Sequence, residues 1–597
     1  MTSHAAFALP ARAIPIAPLT GPGDTLAYAA AARPRPFVLA TAGCSLRGTE
    51  TRGVDALELE GGLLLAGLTI AGASCGNVLL APAQARRELV TPAGTLIESL
   101  LVARAGLVAQ WTRAGGAHGE LDLVLLLPGA LARAEGPFLR VDGGDGVRLV
   151  QITPAPEWRL DPGAGLDGIV RVRARLPAGE PVVRLAATRG VDLAGAEAAL
   201  RRLGHAREAR AEGELVELRA RRLAVRTGVD ELDEGVAWAI ARLEAALGAG
   251  AIVHELAAGE PFPFDPDGRR GWVALGALTA GTSAPVDVDP TTPLGALARA
   301  REATLRGRRP TAADAAALEG SSPPAPTDPD TRPAWAAALL AGADALEPWI
   351  GRPRADEMRA RATALVSGPP RAEADARRTV RLPTLGGARI ADPVATILAA
   401  ALDLPGRAGP PPVDDDPPAG LQRALAAWAH LNDGRIERGF ALFRAHLADG
   451  FAQGTGLWPD RGRVHDPAAA ALVPLVLAHG LLGARADAHY GRLRLSPRLP
   501  SHWNRLTVSG IAIGDAIVRM EYERERSAHR FRFTQEGGRV PVMLIFEPLL
   551  ELAPGARAEV DGQPAEVDVG APRPETDGRA QLKIQLPLDR ERAFSVG

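Results

Sequence analysis

The hydrophobic period of this chain changes twice, and those two changes limit its possible folds more than any single motif does. Up to about residue 225 the apolar residues fall in short runs: "FVLATAGCSL", "DALELEGGLLLAGLTIAG", "TLIESLLVARAGLVAQWTRA", "ELDLVLLLPG" and "VRLVQITPAPEWRLD". Gly, Pro and Asp separate them. Runs of this length, with turn residues between and no helical repeat, predict a large antiparallel β-sandwich. One stretch, "AGAEAALRRLGHAREARAEGELVEL", breaks the pattern, and its early part predicts a short helix. From about 229 the spacing turns helical. "DELDEGVAWAIARLEAALGAG" puts Val236, Ile240, Leu243 and Leu247 on one face. Further helices are predicted near 268–280, 291–305, 312–319, 332–346, 354–366, 392–403, 418–431, 434–448 and 467–483. From 485 the runs shorten again, and "VDGQPAEV" carries an Asp-Gly hairpin signal. The predicted order is an N-terminal β-sandwich over 1–225, a helical domain over 226–484 and a smaller β-sandwich over 485–597. The Pro-rich stretches 320–333 and 404–420 read as loops inside one helical domain, because helices resume on both sides with no new strand pattern.

With 597 residues the chain is too long for a single hydrophobic core. Its 46% apolar and 23% charged residues are those of an ordinary soluble protein. A net charge of −2 supplies neither a basic stripe for nucleic acid nor a field for an anionic membrane, so neither partner is expected. Lys583 is the only lysine; every other basic side chain is Arg or His. Two cysteines, Cys44 and Cys75, are too few for a disulfide framework and read as free thiols. The prolines in "MTSHAAFALPARAIPIAPL" interrupt any secretion signal. The longest apolar run, 467–484, is broken by Pro474 and His479 and is shorter than the roughly 20 residues a spanning helix needs. These features predict a cytoplasmic protein. A Walker-type GxxxxGK loop, HExxH and CxxC are all missing, so no cofactor or metal is expected. The acidic run 414–416 lacks the alternating ligands and turn glycine of a calcium loop.

Three stretches, taken with the β-α-β order, resemble the six-hairpin glycosidases, and more narrowly bacterial glucoamylase and glycogen-debranching-enzyme-like proteins. The first is "TETRGVDALELEGGLLLAGLTIAG" followed by "RRELVTPAGTLIESLLVARAGLVAQWTR", similar to the family's N-terminal supersandwich. The second, "HELAAGEPFPFDPDGRRGWVALGALTAG", is similar to its first hairpin. The third, "GTGLWPDRGRVHDPAAAALVPLVLAHGLLG" with "YGRLRLSPRLPSHWNRLTVSGIAIGDA", is similar to its last hairpin and the junction beyond. The resemblance implies an (α/α)6 toroid as the helical domain. It implies a carbohydrate ligand, and inverting acid/base hydrolysis of α-linked glucans or oligosaccharides without a metal. Inversion needs one protonated carboxyl at the leaving oxygen and one carboxylate that activates water across the ring.

Carried over residue by residue, the resemblance makes Asp460, in "WPD", the general base; the family commonly has Glu there. The general acid would be Glu347, beside Pro348 and Trp349, or Glu255 in the first hairpin. Substrate contacts would come from Asp265, Asp267, Arg269, Arg270, Trp272, Trp458 and His465. Other readings of the same residues stand beside these. Asp466, just before Pro467 and an apolar run, has the pattern of a helix N-cap. Trp458 suits a sugar platform or a hydrophobic plug equally. His465 suits a solvated loop. A catalytically degenerate carbohydrate-binding protein on the same fold, or a glycoside phosphorylase using the arginines near 269, would also fit the pattern.

Overall fold

A computed structural model describes residues 26–29, 36–41, 44–59, 62–81, 84–103, 105–114, 119–161, 168–205, 223–248, 266–281, 288–319, 332–367, 398, 400–402, 404, 420–452, 458, 466–553, 555–570, 576 and 578–597. The element order is β-sheets, then a central helical region, then further β-sheets. By compactness the chain divides into two units. One is built on residues 1–219 with 241–255 and 450–457; the other holds 220–240, 256–449 and 458–597.

The first unit contains a nine-stranded and an eight-stranded sheet, both antiparallel. Alternation explains their burial. In Leu121–Pro128 the side chains of Leu121, Leu123, Leu125 and Leu127 are buried and their neighbours half-buried, as a two-residue period requires. The single predicted helix of this region is present as Leu193–His205 (α1). Ala196, Leu200 and Leu203 share one of its faces, and they pack against Val108, Leu149 and Ala186 of the larger sheet.

The stretch that carried the N-terminal resemblance also forms a buried polar knot. Arg87 and Glu98, each 3% exposed, make an ion pair. Trp111 Nε1 donates to Glu98 at 3.0 Å, and Arg87 Nη1 donates to the Glu50 carbonyl at 2.6 Å. Every charge removed from water here has a partner, which is the condition under which buried ion pairs persist. Cys44 and Cys75 are both free. Burial pushes the Cys44 thiol up to about 12 and that of Cys75 to about 11, so both are protonated at neutral pH.

Among the described residues the helical region holds Asp230–Gly248 (α2), Pro266–Ala280 (α3), Pro293–Arg306 (α4), Ala312–Glu319 (α5), Arg332–Ile350 (α6), Arg352–Ser367 (α7), Leu421–Asn432 (α8), Ile436–Phe451 (α9) and Pro467–Leu475 (α10). These correspond to helices expected from periodicity; most of the one expected over 392–403 lies outside the described residues. The sequence missed the ending of α10. Pro474 has no N–H to donate to the preceding turn, and the chain continues as a π-helical turn over Val476–Leu481. Close backbone approach joins α3 to α10. A Cβ placed on Gly276 would stand 2.5 Å from the Ala471 carbonyl oxygen and 2.9 Å from its Cα.

Seven- and six-stranded sheets complete the second unit. The Asp-Gly hairpin is present: Asp561 and Gly562 have φ of 52° and 76°, the left-handed pair a type I′ turn demands. One strand was not foreseen in its place. Ala224–Arg226, at the expected end of the N-terminal sandwich, pairs antiparallel with Thr507–Ser509 of the C-terminal sheet. Three residues carry too little periodicity to announce a partner nearly 300 positions away in sequence. Among the described residues no helix is long and apolar enough to cross a membrane, and no cluster of metal-binding side chains occurs.

Candidate functional site

Helices α3 and α10 fix the ends of the helical layer. Gly276 lies against Ala471, and further along both helices Thr279 Oγ1 lies 3.4 Å from His479 Nε2. Sequence number therefore rises in the same direction on both, so Pro266 and Pro467 begin them at one end. The segments singled out in the sequence just before these helices, 255–265 and 459–465, lie outside the described residues.

Asp466 caps α10 as its sequence context predicted: it is fully buried, and its Oδ1 accepts from Ala468 N–H at 2.9 Å with Pro467 in the first turn. Its own N–H donates to the Trp458 carbonyl at 2.7 Å. The residues on either side of 459–465 are thereby pinned together. Trp458 itself is 0% exposed, and its indole N–H donates to the His446 carbonyl at 3.0 Å. That burial leaves no ring face exposed for a sugar to stack on. His446, also buried, is neutral: Nε2 donates to the Ala469 carbonyl at 2.9 Å, and desolvation pushes its pKa down to about 4.

Asp460, His465, Glu255 and Asp265 lie outside the described residues. Asp267 and Arg269 stand in the first turn of α3, but their side chains also lie outside the description. Arg270 is half-buried and its Nε has no hydrogen-bond partner. Trp272, 1% exposed, packs edge-on to Trp428 with ring centroids 6.5 Å apart. It is core, which corrects its assignment to the substrate.

Glu347 belongs to a surface ion cluster, with Arg359 Nη2 at 2.5 Å from it and 2.8 Å from Asp344. Asp344, one turn earlier on α6, lines a cavity that Thr279 and His479 also line. Thr279 and His479 each stand 13 residues beyond Pro266 and Asp466, which at 1.5 Å per residue is about 20 Å along the helices.

At that far end His479 stacks on Trp428, with centroids 5.8 Å apart and planes at 20°. Its Nδ1 donates to the Ala484 carbonyl at 2.8 Å, which leaves Nε2 as an acceptor toward Thr279. Desolvation, with Arg301 adding to it, pushes this imidazole down to about 3. The sequence did contain a signal for it: His479 was one of two interruptions in the longest apolar run. The arginines around it gave none, since they come from segments far apart in the chain.

No family model matches the chain, and no curated protein sequence is similar to it. Solved structures of carbohydrate-active enzymes align with it over much of its length. A candidate kojibiose phosphorylase from human microbiome is 8% identical, covering 95% of this chain and 92% of that one, with a TM-score of 0.47. A bacterial glucoamylase complexed with acarbose is 10% identical, covering 77% and 95%, with a TM-score of 0.44. A GH92 alpha-mannosidase from Bacteroides thetaiotaomicron is 10% identical, covering 91% and 83%, with a TM-score of 0.39. No residue role is transferred from these structures.

Proposed function

We propose that the chain is a glycoside-active protein with an (α/α)6 toroid over 226–484, flanked by β-sandwiches over 1–225 and 485–597. In this reading it hydrolyses α-linked glucans or oligosaccharides with inversion. The observation that carries the reading is the shared direction of α3 and α10. It starts both helices at one end of the helical layer, and the reading assigns Glu255, Asp265 and Asp460, which precede those helices in sequence, to that end. With Glu347 paired to Arg359, the reading takes Glu255 as the general acid and Asp460 as the base that draws a proton from water. Burial or a neighbouring charge must keep the acid protonated near neutral pH. Arg270, with an unpartnered Nε on the first turn of α3, supplies a donor for a sugar hydroxyl at the same end.

The test is release of glucose from maltodextrins by the full chain. Asp460→Asn and Glu255→Gln are each expected to lower kcat by at least about 100-fold while leaving the far-UV spectrum unchanged. Full activity in Asp460→Asn refutes the base assignment. Cleavage that requires inorganic phosphate refutes hydrolysis.

A further inference from the structure

The far end of the helical layer encloses a cavity of about 1010 Å³ within the second unit. Its described lining includes six arginines (301, 435, 485, 494, 498 and 579) against three carboxylates, Asp344, Asp433 and Glu547. The carboxylates are already engaged. Asp344 pairs with Arg359 at 2.8 Å, and Glu547 lies 3.8 Å from Arg494 and 3.6 Å from Lys583; Asp433 also has a partner. Two of the cations are not engaged. Among the described residues neither Arg301 nor Arg435 has a side-chain hydrogen bond or ion pair, and Arg301 Nη1 is shut off from solvent with no acceptor. Desolvation, with repulsion from Arg485 added, pushes Arg301 down to about 10, so it is still a cation at neutral pH. His479 beside it is neutral, so it brings no further positive charge. An unpaired guanidinium under such cover lowers stability unless something anionic arrives.

We propose that this cavity binds a small phosphate monoester, with its phosphate on Arg301 and Arg485 and its body along the leucine-lined wall. Two guanidiniums lining one cavity match the multiple charge and three acceptor oxygens of a phosphate better than a single carboxylate. The volume accommodates a whole ring-sized molecule behind the phosphate. Leu278, Leu297, Leu340 and Leu482 supply apolar contact for that body. Arg435, the other unpaired cation, adds to the attraction. The site lies about 20 Å along α3 and α10 from the end assigned to glycoside chemistry, and it stands whether or not that assignment does.

The test uses the full chain at fixed ionic strength, with phenyl phosphate, inorganic phosphate and neutral glucose as probes in calorimetry and thermal unfolding. Phenyl phosphate is expected to bind once per chain and raise Tm. Inorganic phosphate is expected to bind at least about tenfold more weakly, and glucose not to shift Tm through this cavity. Arg301→Met should raise the Tm of the ligand-free protein and weaken phenyl phosphate at least about tenfold. Arg435→Gln should weaken it less. Asp460→Asn should bind as the unaltered chain does, so failure of the catalytic reading leaves this result standing. If Arg301→Met lowers the ligand-free Tm or does not fold, Arg301 is structural and the proposal is overturned. It is overturned equally if no phosphate probe raises Tm, or if inorganic phosphate binds as tightly as the ester.

Discussion

The shared direction of α3 and α10 depends on a glycine, which makes Gly276→Ala the most informative substitution in the helical region. Alanine is the better helix former, so at an open helical position the change would stabilise by about 1 kcal/mol. Gly276 is not open: the new methyl would stand 2.5 Å from the Ala471 carbonyl oxygen, 2.8 Å from Ala471 Cβ and 2.9 Å from its Cα. Ordinary contact begins near 3.4 Å, so the helices must separate by roughly 1 Å, and two of those three atoms are backbone that no rotamer can move. Overpacking of this kind costs about 1–3 kcal/mol, and backbone contact puts it at the upper end, for a net loss of about 2 kcal/mol. Gly342 in α6 is the control. A Cβ there meets Met358 Cε at 3.3 Å and Leu318 side-chain atoms at 3.4 and 3.5 Å, all able to yield. Gly342→Ala should be neutral or stabilising by up to about 1 kcal/mol. Urea unfolding followed by tryptophan emission reads both, since Trp272 lies one turn before Gly276 and packs on Trp428. A Gly276→Ala protein as stable as the parent would refute the close helix contact, and with it the shared direction of the two helices.

Two further outcomes follow from buried charge and buried imidazole. Glu98→Ala leaves Arg87 unpaired in the N-terminal unit and strips Trp111 of its acceptor, so it should cost about 3–5 kcal/mol in urea unfolding. The double replacement Arg87→Met with Glu98→Leu should recover most of that loss; no recovery would show that the knot acts through shape rather than charge. For His446 the folded pKa, about 4, lies below the unfolded value near 6.5. Below pH 6.5 the unfolded chain takes up a proton that the native imidazole refuses, so stability is constant above about pH 7 and falls as pH drops toward 4. The His446 share reaches about 3 kcal/mol. His446→Gln should flatten the dependence of the urea midpoint on pH in that window, and an unchanged slope would contradict the neutral assignment.

What was readable in the sequence was whatever depends on neighbours along the chain. The β-α-β order follows from hydrophobic period, the turn at Asp561–Gly562 from two residues that tolerate positive φ, and the cap at Asp466 from one acid before one proline. Each of these is decided within one turn or one strand. The candidate site was legible only as two loops rich in carboxylates and aromatic rings.

Which end of the helical layer each residue occupies was decided only by tertiary structure. Glu347 was a candidate acid in sequence, and packing of α6 against α7 holds it in an ion cluster with Arg359. Trp458 could be platform or plug until its indole meets the His446 carbonyl. The arginine-lined cavity is the clearest case. Arg301 sits on a helix, Arg485 opens a strand and Arg579 stands beside another, so no local pattern joins them. Period and propensity act over a few residues. The field in a cavity depends on which distant charges folding brings together and which of them it leaves unpaired.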